Sequence, residues 1–333
     1  MSDSFWTHEA GPVFVTGATG LVGSWLVRAL VERRARVVVL VRDHDPQSEL
    51  VRSGLIDSVV VVNGALECAA TMERAIVEHE VQTVFHLGAQ TIVGAGLRSP
   101  RLTFEANIQG TWNLLEACRL NADRVQRVLV ASSDKAYGEA ETLPYTESTP
   151  PLGRHPYDVS KSCTDLIAQA YHHTYDLPVV IARCGNIYGG GDLNWSRIVP
   201  GTIRSYYNNE PPIIRSDGTF LRDYVYVRDA VGAYMVLAEQ AARPEVRGGT
   251  FNFGPGEPQS VLEIVDVIQR LMRKQHIKPD IQNTARAEIK NQYLDSTKAR
   301  DVLNWRPQWS LEEGLRETID WYIPFLDRHA NPA

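Results

Sequence analysis

The apolar positions of this chain change period repeatedly over its first 184 residues. Val13-Phe14-Val15 is a short continuous apolar run ending at Thr16. Trp25, Leu26, Ala29 and Leu30 then recur at helical spacing between Ser24 and Arg33, and Arg36 to Val41 is a second strand-like run. The alternation continues, with strands predicted at 59–62, 82–87, 127–132 and 178–183 and helices at 69–79, 101–121 and 156–175. Strands apolar on both faces and separated by helices predict an α/β fold, a doubly wound parallel sheet covered on both sides. From about residue 185 the rhythm breaks, at Gly185-Asn186-Ile187-Tyr188-Gly189-Gly190-Gly191-Asp192 and again at Glu210-Pro211-Pro212. Residues 1–184 are thus expected to form one domain, and residues 185–330 a smaller region interwoven with it. Helices are expected in that second region near 260–275 and 310–323, the latter after the turn at Trp305-Arg306-Pro307.

Composition narrows the possibilities without choosing among them. Over 333 residues, 44% hydrophobic and 22% charged side chains are those of a globular protein with ample material for a core. The net charge of −6 and the lack of a basic run argue against a nucleic-acid partner, so a bound anion is expected only at a local site. Cys68, Cys118, Cys163 and Cys184 lie far apart without a C-x-x-C, and read as reduced, buried thiols rather than a metal site. The polar N-terminus MSDSFWTHEAGP has no signal pattern, and no apolar run approaches the length of a membrane span, so a cytoplasmic protein is expected.

The chemistry begins at Gly17-Ala18-Thr19-Gly20-Leu21-Val22-Gly23, between the first strand and the first helix. In that position the glycines of G-x-x-G-x-x-G permit a tight turn and close backbone approach to a pyrophosphate at a helix N-terminus. A complete βαβ unit around the string predicts a Rossmann-type dinucleotide site. The second strand ends at Arg42-Asp43. An acid there suits a ribose diol and a base suits a 2′-phosphate, which leaves NAD and NADP both open. Farther on, Tyr157 and Lys161 are spaced i,i+4 on a predicted helix, and Ser133-Asp134-Lys135 lies upstream. A lysine one turn from a tyrosine is placed to lower the phenol pKa from its usual value of about 10 and make it a base. Tyr-x-x-x-Lys alone is equally an ordinary solvated helix face, so the surrounding motifs carry the reading.

Those motifs resemble the extended short-chain dehydrogenase/reductase family, and within it the nucleotide-sugar epimerases and dehydratases. The resemblance runs from Val13 to Tyr322 through TGATGLVG, FHLGAQ at 85–90, Asn107 in ANIQGTWNLLEA, SSDKAYG, YDVSK, RCGNIYGGGD, RDYVYVRDA and the closing LDSTKA. It implies an NAD cofactor held by Gly17, Thr19, Gly20, Leu21, Val22 and Gly23, then by Arg42 and Asp43. Further contacts are implied at Ala65, Leu66, Leu87, Ala89, Gln90 and Asn107, and at Tyr157 and Lys161 beside the nicotinamide ribose. Residues 133–135 select the reaction. The epimerases carry small unreactive residues after the serine or threonine, whereas the hexose 4,6-dehydratases carry an acid and a base. Asp134-Lys135 most resembles the T-D-K string of the CDP-glucose 4,6-dehydratases.

The implied activity is transient oxidation at C4 of a nucleotide-diphosphate hexose, loss of water across C5 and C6, and hydride return. Ser133 and Tyr157 would hold the 4-oxygen, Asp134 would be the acid, and Lys135 either a neutral base or a cation stabilising the enolate. The alternatives are a UDP-sugar 4-epimerase using only Ser133, Tyr157 and Lys161, and an NADP-dependent reductase, which Arg42 would favour. Asn186, Arg197, Arg215 and Arg222 are the candidates for the substrate pyrophosphate, surface ion pairs being the bland account of each arginine. His86 reads as a packed residue near the cofactor, and His172-His173 as surface. Helices 103–121 and 156–175 would form a homodimer face, with Trp112, Leu114 and Leu115 as its apolar residues. Three departures stand out: Gly64-Ala65 lacks the aspartate expected to hold the adenine, so that contact is lost or moved, Arg42 is unusual for an NAD enzyme, and RDYVYV is closer to the wider dehydratase and epimerase group than to the CDP-glucose subgroup.

Overall fold

The continuous apolar runs become the interior strands of one sheet, because every residue of Val13–Thr16 (β1) and Val37–Val41 (β2) is buried. The computed structural model describes residues 4–284 and 288–330, so Met1–Asp3, read above as part of a leaderless N-terminus, lie outside the described residues. Val60–Asn63 (β3), Thr83–His86 (β4), Arg127–Ser133 (β5) and Val179–Cys184 (β6) join the first two strands, and all six pair in parallel. Their spatial order runs β3, β2, β1, β4, β5, β6. The order reverses between β1 and β4, and in open α/β sheets a ligand binds at such a switch point.

Alternation along β1 divides the core. Val13 and Val15 face Leu26, Val27 and Leu30 of the first helix, Leu21–Glu32 (α1), whereas Phe14 faces the other layer with Met72, Ile76, Leu114 and Leu115. Each such fully buried side chain contributes about 1.5–3 kcal/mol. The helix expected over 101–121 forms as Pro100–Phe104, a wider turn at Glu105–Gln109 and Gly110–Leu120. The helix expected at 156–175 spans Pro156–Tyr175, started by Pro156 at its first turn and stopped at Asp176, whose φ is +53°. The helices expected at 260–275 and 310–323 are Val261–Leu271 and Leu311–Ala330, the first closed by a capping box between Ser260 and Glu263.

The boundary near residue 184 is not a clean cut. Val227–Glu239 forms a helix that packs on α1, and Thr250–Phe253 returns as a seventh parallel strand beside β6. The rest of the second region has its own apolar cluster around Ile203, Ile264, Leu315 and Tyr322, with short two- and three-stranded pairings. The segment Phe5–Glu9 was unexpected: Phe5 and Trp6 are buried, and Trp6 lies 6.0 Å from Phe85. Cys118 and Cys184 are buried as expected, but Cys68 is exposed beyond the end of β3 and Cys163 is only half-buried. Leu114 and Leu115 point into the core, which removes them from any dimer face and leaves Trp112 exposed.

Candidate active site

A cavity of about 710 Å³ opens at the switch point, floored by the strand ends and roofed by the second region. Its first wall is backbone. Gly17 has φ +72°, and a Cβ there would approach the Gly88 nitrogen to 2.7 Å. At Gly23 a Cβ would meet the Gly17 carbonyl oxygen at 2.1 Å, so α1 can start this close to β1 only with glycine. The leading amides of α1 have no partner inside the helix and lie beside the cavity, where an anion completes them. Thr19, Gly20, Leu21 and Val22 line this wall. Arg42 and Asp43 line it farther out, paired with each other at 2.6 Å and both exposed. Leu66, Leu87, Ala89 and Gln90 continue the wall. The whole surface fits a dinucleotide.

Two expected cofactor contacts lie off this wall. Ala65 is set back, but an acid does reach the cavity two residues later, at Glu67. Asn107 is buried with both polar atoms engaged: Oδ1 accepts from Gln90 N at 2.6 Å, and Nδ2 donates to Ser160 Oγ at 2.8 Å. It therefore ties the Gln90 loop to the helix carrying Tyr157 instead of touching a ligand. His86 is packed as expected, between Thr16 Oγ1 at 2.9 Å and Thr111 Oγ1 at 3.0 Å, and burial depresses its pKa to about 3.

The opposite wall carries reactive side chains. Ser133, Lys135, Tyr157 and Lys161 all line the cavity, from the end of β5, the turn after it and the helix Pro156–Tyr175. The expected Lys161–Tyr157 coupling needs correction. Lys161 Nζ donates to Ala131 O at 2.8 Å, and burial lowers its pKa to about 8 while Asp165 opposes that. Burial pushes the Tyr157 phenol up to about 12, and the influences pulling it down are the Arg197 guanidinium and a hydrogen bond with Ser133. The lysine is drawn to a strand-end carbonyl, so the cation that favours a phenolate here comes from the second region.

Asp134 and Lys135 part company. Asp134 is buried behind the wall, accepting from Ser133 Oγ at 2.9 Å, while its Oδ2 has no protein partner. Lys135 turns into the cavity, its pKa lowered by burial, and its Nζ donates to Gln292 Oε1. Gln292 is the partner of Lys135 that sequence reasoning missed. It lies in the strand pair Asn291–Gln292, which runs beside Leu221–Arg222, and its position near Lys135 follows from no local pattern.

The four substrate-side candidates also divide. Asn186 and Arg197 line the cavity, Arg197 pairing with Asp192 at 2.8 Å and donating to Thr91 Oγ1 at 3.2 Å. Arg222 does not line it. Its guanidinium is spent on the carbonyls of Leu221, Ile289 and Lys290, where it pins the returning chain. Arg215 is exposed and outside the cavity. Among the described residues no group of side chains could hold a metal ion, and no helix is long and apolar enough to cross a membrane.

Comparison with known proteins agrees with this geometry. The chain is 31% identical to the CDP-glucose 4,6-dehydratase of Salmonella typhimurium, over 97% of its length and 93% of that protein's. It superimposes on a dTDP-glucose 4,6-dehydratase of Bacillus anthracis in complex with NAD with a TM-score of 0.83, at 25% identity over 95% of this chain and 97% of the other. A UDP-glucose 4-epimerase of Thermotoga maritima with UDP-glucose gives a TM-score of 0.86, at 28% identity over 95% and 99% of the two chains. The family model described as GDP-mannose 4,6 dehydratase matches residues 14–318, and with its Rossmann-like parallel sheet and Ser133, Tyr157 and Lys161 on one cavity wall, this chain is an enzyme of that family.

Proposed function

We propose that the protein is an NAD-dependent nucleotide-diphosphate-hexose 4,6-dehydratase, with CDP-glucose as the preferred substrate class. The observation that carries this reading is Lys135, a desolvated amine on the same cavity wall as Ser133 and Tyr157, with the Asp134 carboxyl immediately behind it. An epimerase has no use for such an amine. The chemistry the cofactor supplies when bound is acceptance of hydride from C4 and its return to C6.

The chain's own residues do the rest. Tyr157, on the same cavity wall as Ser133 and with the Arg197 guanidinium favouring its phenolate, takes the proton of the sugar 4-hydroxyl. The 4-ketone acidifies the C5 hydrogen, and neutral Lys135 removes it as a proton. The C5–H electron pair becomes the C5=C6 bond, the C6–O bond breaks, and the departing hydroxyl takes a proton that Asp134 supplies through Ser133 Oγ, so that one water leaves; the Lys135 ammonium would return its proton to C5 as hydride reaches C6. Arg197 and Asn186, both on the cavity lining, would hold the substrate pyrophosphate. Exposed Leu102, Trp112 and Leu166, on neighbouring helices, support the reading of a homodimer.

A second reading, a UDP-sugar 4-epimerase, is favoured by the setback of Asp134 from the cavity and by the likeness to the Thermotoga maritima enzyme. One experiment separates the two readings. The purified protein is incubated with CDP-, dTDP-, UDP- and GDP-hexoses and the products are weighed by mass spectrometry. A product lighter by one water is expected, formed fastest from the CDP sugar. A stereoisomer of unchanged mass would make the protein an epimerase, and stoichiometric consumption of reduced cofactor would make it a reductase.

A further inference from the structure

We infer that Gln292 is a positioning residue for the elimination half of the reaction, a neutral acceptor that holds the Lys135 amine in the cavity without adding the negative charge that would keep it protonated. This inference rests on the dehydratase reading given above. Gln292 is fully buried, and its Oε1 accepts from Lys135 Nζ across 157 residues of chain. The amide oxygen faces the lysine nitrogen, and the amide Nε2 is left without a hydrogen-bond partner among the described residues. The amide is fixed from behind. Residues 291–292 pair with 221–222, Arg222 clamps the carbonyls of Ile289 and Lys290, and Leu294 N donates to Asp223 at 2.7 Å.

Charge at this spot is finely set. Lys135 is faced by Asp134 on its own turn, Asp158 on the helix Pro156–Tyr175, and Glu288 and Arg222 on the elements of the second region. The three carboxylates oppose burial only in part, the Arg222 guanidinium acts with it, and the amine stays easier to deprotonate than free lysine. Had the closest partner been a carboxylate, the amine would be held as an ammonium and unable to take the C5 proton. A glutamine meets both needs, because it anchors Nζ and leaves the nitrogen's lone pair for the cavity.

Two variants test this, each followed in single turnovers through cofactor reduction, which reports C4 oxidation, and through water loss, which reports elimination. In Gln292→Glu, the acidic limb of the pH profile for water loss is expected to move alkaline by about 1–3 units. Reduced cofactor should form at its normal rate and accumulate at neutral pH. In Gln292→Met, which keeps the volume and removes the acceptor, water loss should fall about 10²-fold with the limb unmoved. A Gln292→Glu profile superimposable on that of the unaltered enzyme overturns the inference. So does an equal loss of both half-reactions in both variants together with a lowered melting temperature, which would assign Gln292 to the scaffold alone. Failure of the unaltered enzyme to release water from any nucleotide hexose would instead bring down the dehydratase reading, and this inference with it.

Discussion

The two walls of the cavity are built by different means. The glycine wall is shaped by backbone, with Gly17 and Gly23 at positions where a Cβ would strike neighbouring main chain. The reactive wall is made of side chains, from β5 and the helix Pro156–Tyr175, from the loop holding Asp192 and Arg197, and from a strand that returns at Gln292. A backbone site tolerates no added atom at its tightest glycines, and its preference for an anion is carried by amides that no side-chain substitution removes. A side-chain site can be retuned by one charge, because its groups are desolvated and each partner is specific.

Tyr157→Phe should separate the walls most sharply. Turnover is expected to fall about 10²–10⁴-fold while the amount of NAD retained by the protein is unchanged, a split that rapid kinetics and nucleotide analysis of the same sample would check. Support for the reactive wall is the next largest effect. Asp165, on the helix carrying Tyr157, makes two 2.7 Å bonds to Arg183, and both are buried. Asp165→Ala strands that guanidinium and should lower unfolding free energy by about 3–5 kcal/mol in urea titration. On the glycine wall, Gly23→Ala forces its new methyl into the Gly17 carbonyl. It should cost about 1–3 kcal/mol and abolish the rise in melting temperature that NAD gives the unaltered protein.

Smaller effects sharpen the comparison further. His86, held neutral between threonines behind the glycine wall, has a pKa of about 3 against an ordinary value of 6.5. The unfolded chain therefore binds the extra proton first as pH falls, and stability is lost below the unfolded pKa. Between pH 7 and pH 5 this single group should remove about 2 kcal/mol, a slope that denaturation of His86→Asn at the two pH values would lack. Arg215→Ala should do least, changing stability by less than about 0.5 kcal/mol and leaving the substrate KM where it was, because Arg215 is exposed and outside the cavity.

The first six strands were readable because each is a contiguous apolar run, and the glycine turn because its strand and helix flank it directly. Ser133, Tyr157 and Lys161 were readable by motif. What escaped had no local signature. Thr250–Phe253 looks like any short apolar run until it is seen beside β6, and Phe5 and Trp6 look like a polar tail until Phe85 covers them. Arginines are alike in sequence, yet Arg197 faces the cavity, Arg222 clamps a returning chain and Arg215 meets solvent.

By itself the sequence determined the parallel sheet, the cradle at its switch point and most of the side chains that line the wall opposite it. All of these depend on spacings of a few residues, which the periods of strand and helix convert directly into geometry. The tertiary structure alone decided which cation faces Tyr157, which carboxyl stands behind the wall, and that a glutamine from the far end of the chain meets Lys135. Those choices depend on distance and burial, in the last case between segments 157 residues apart, and electrostatics in a desolvated site is fixed by position, not by composition.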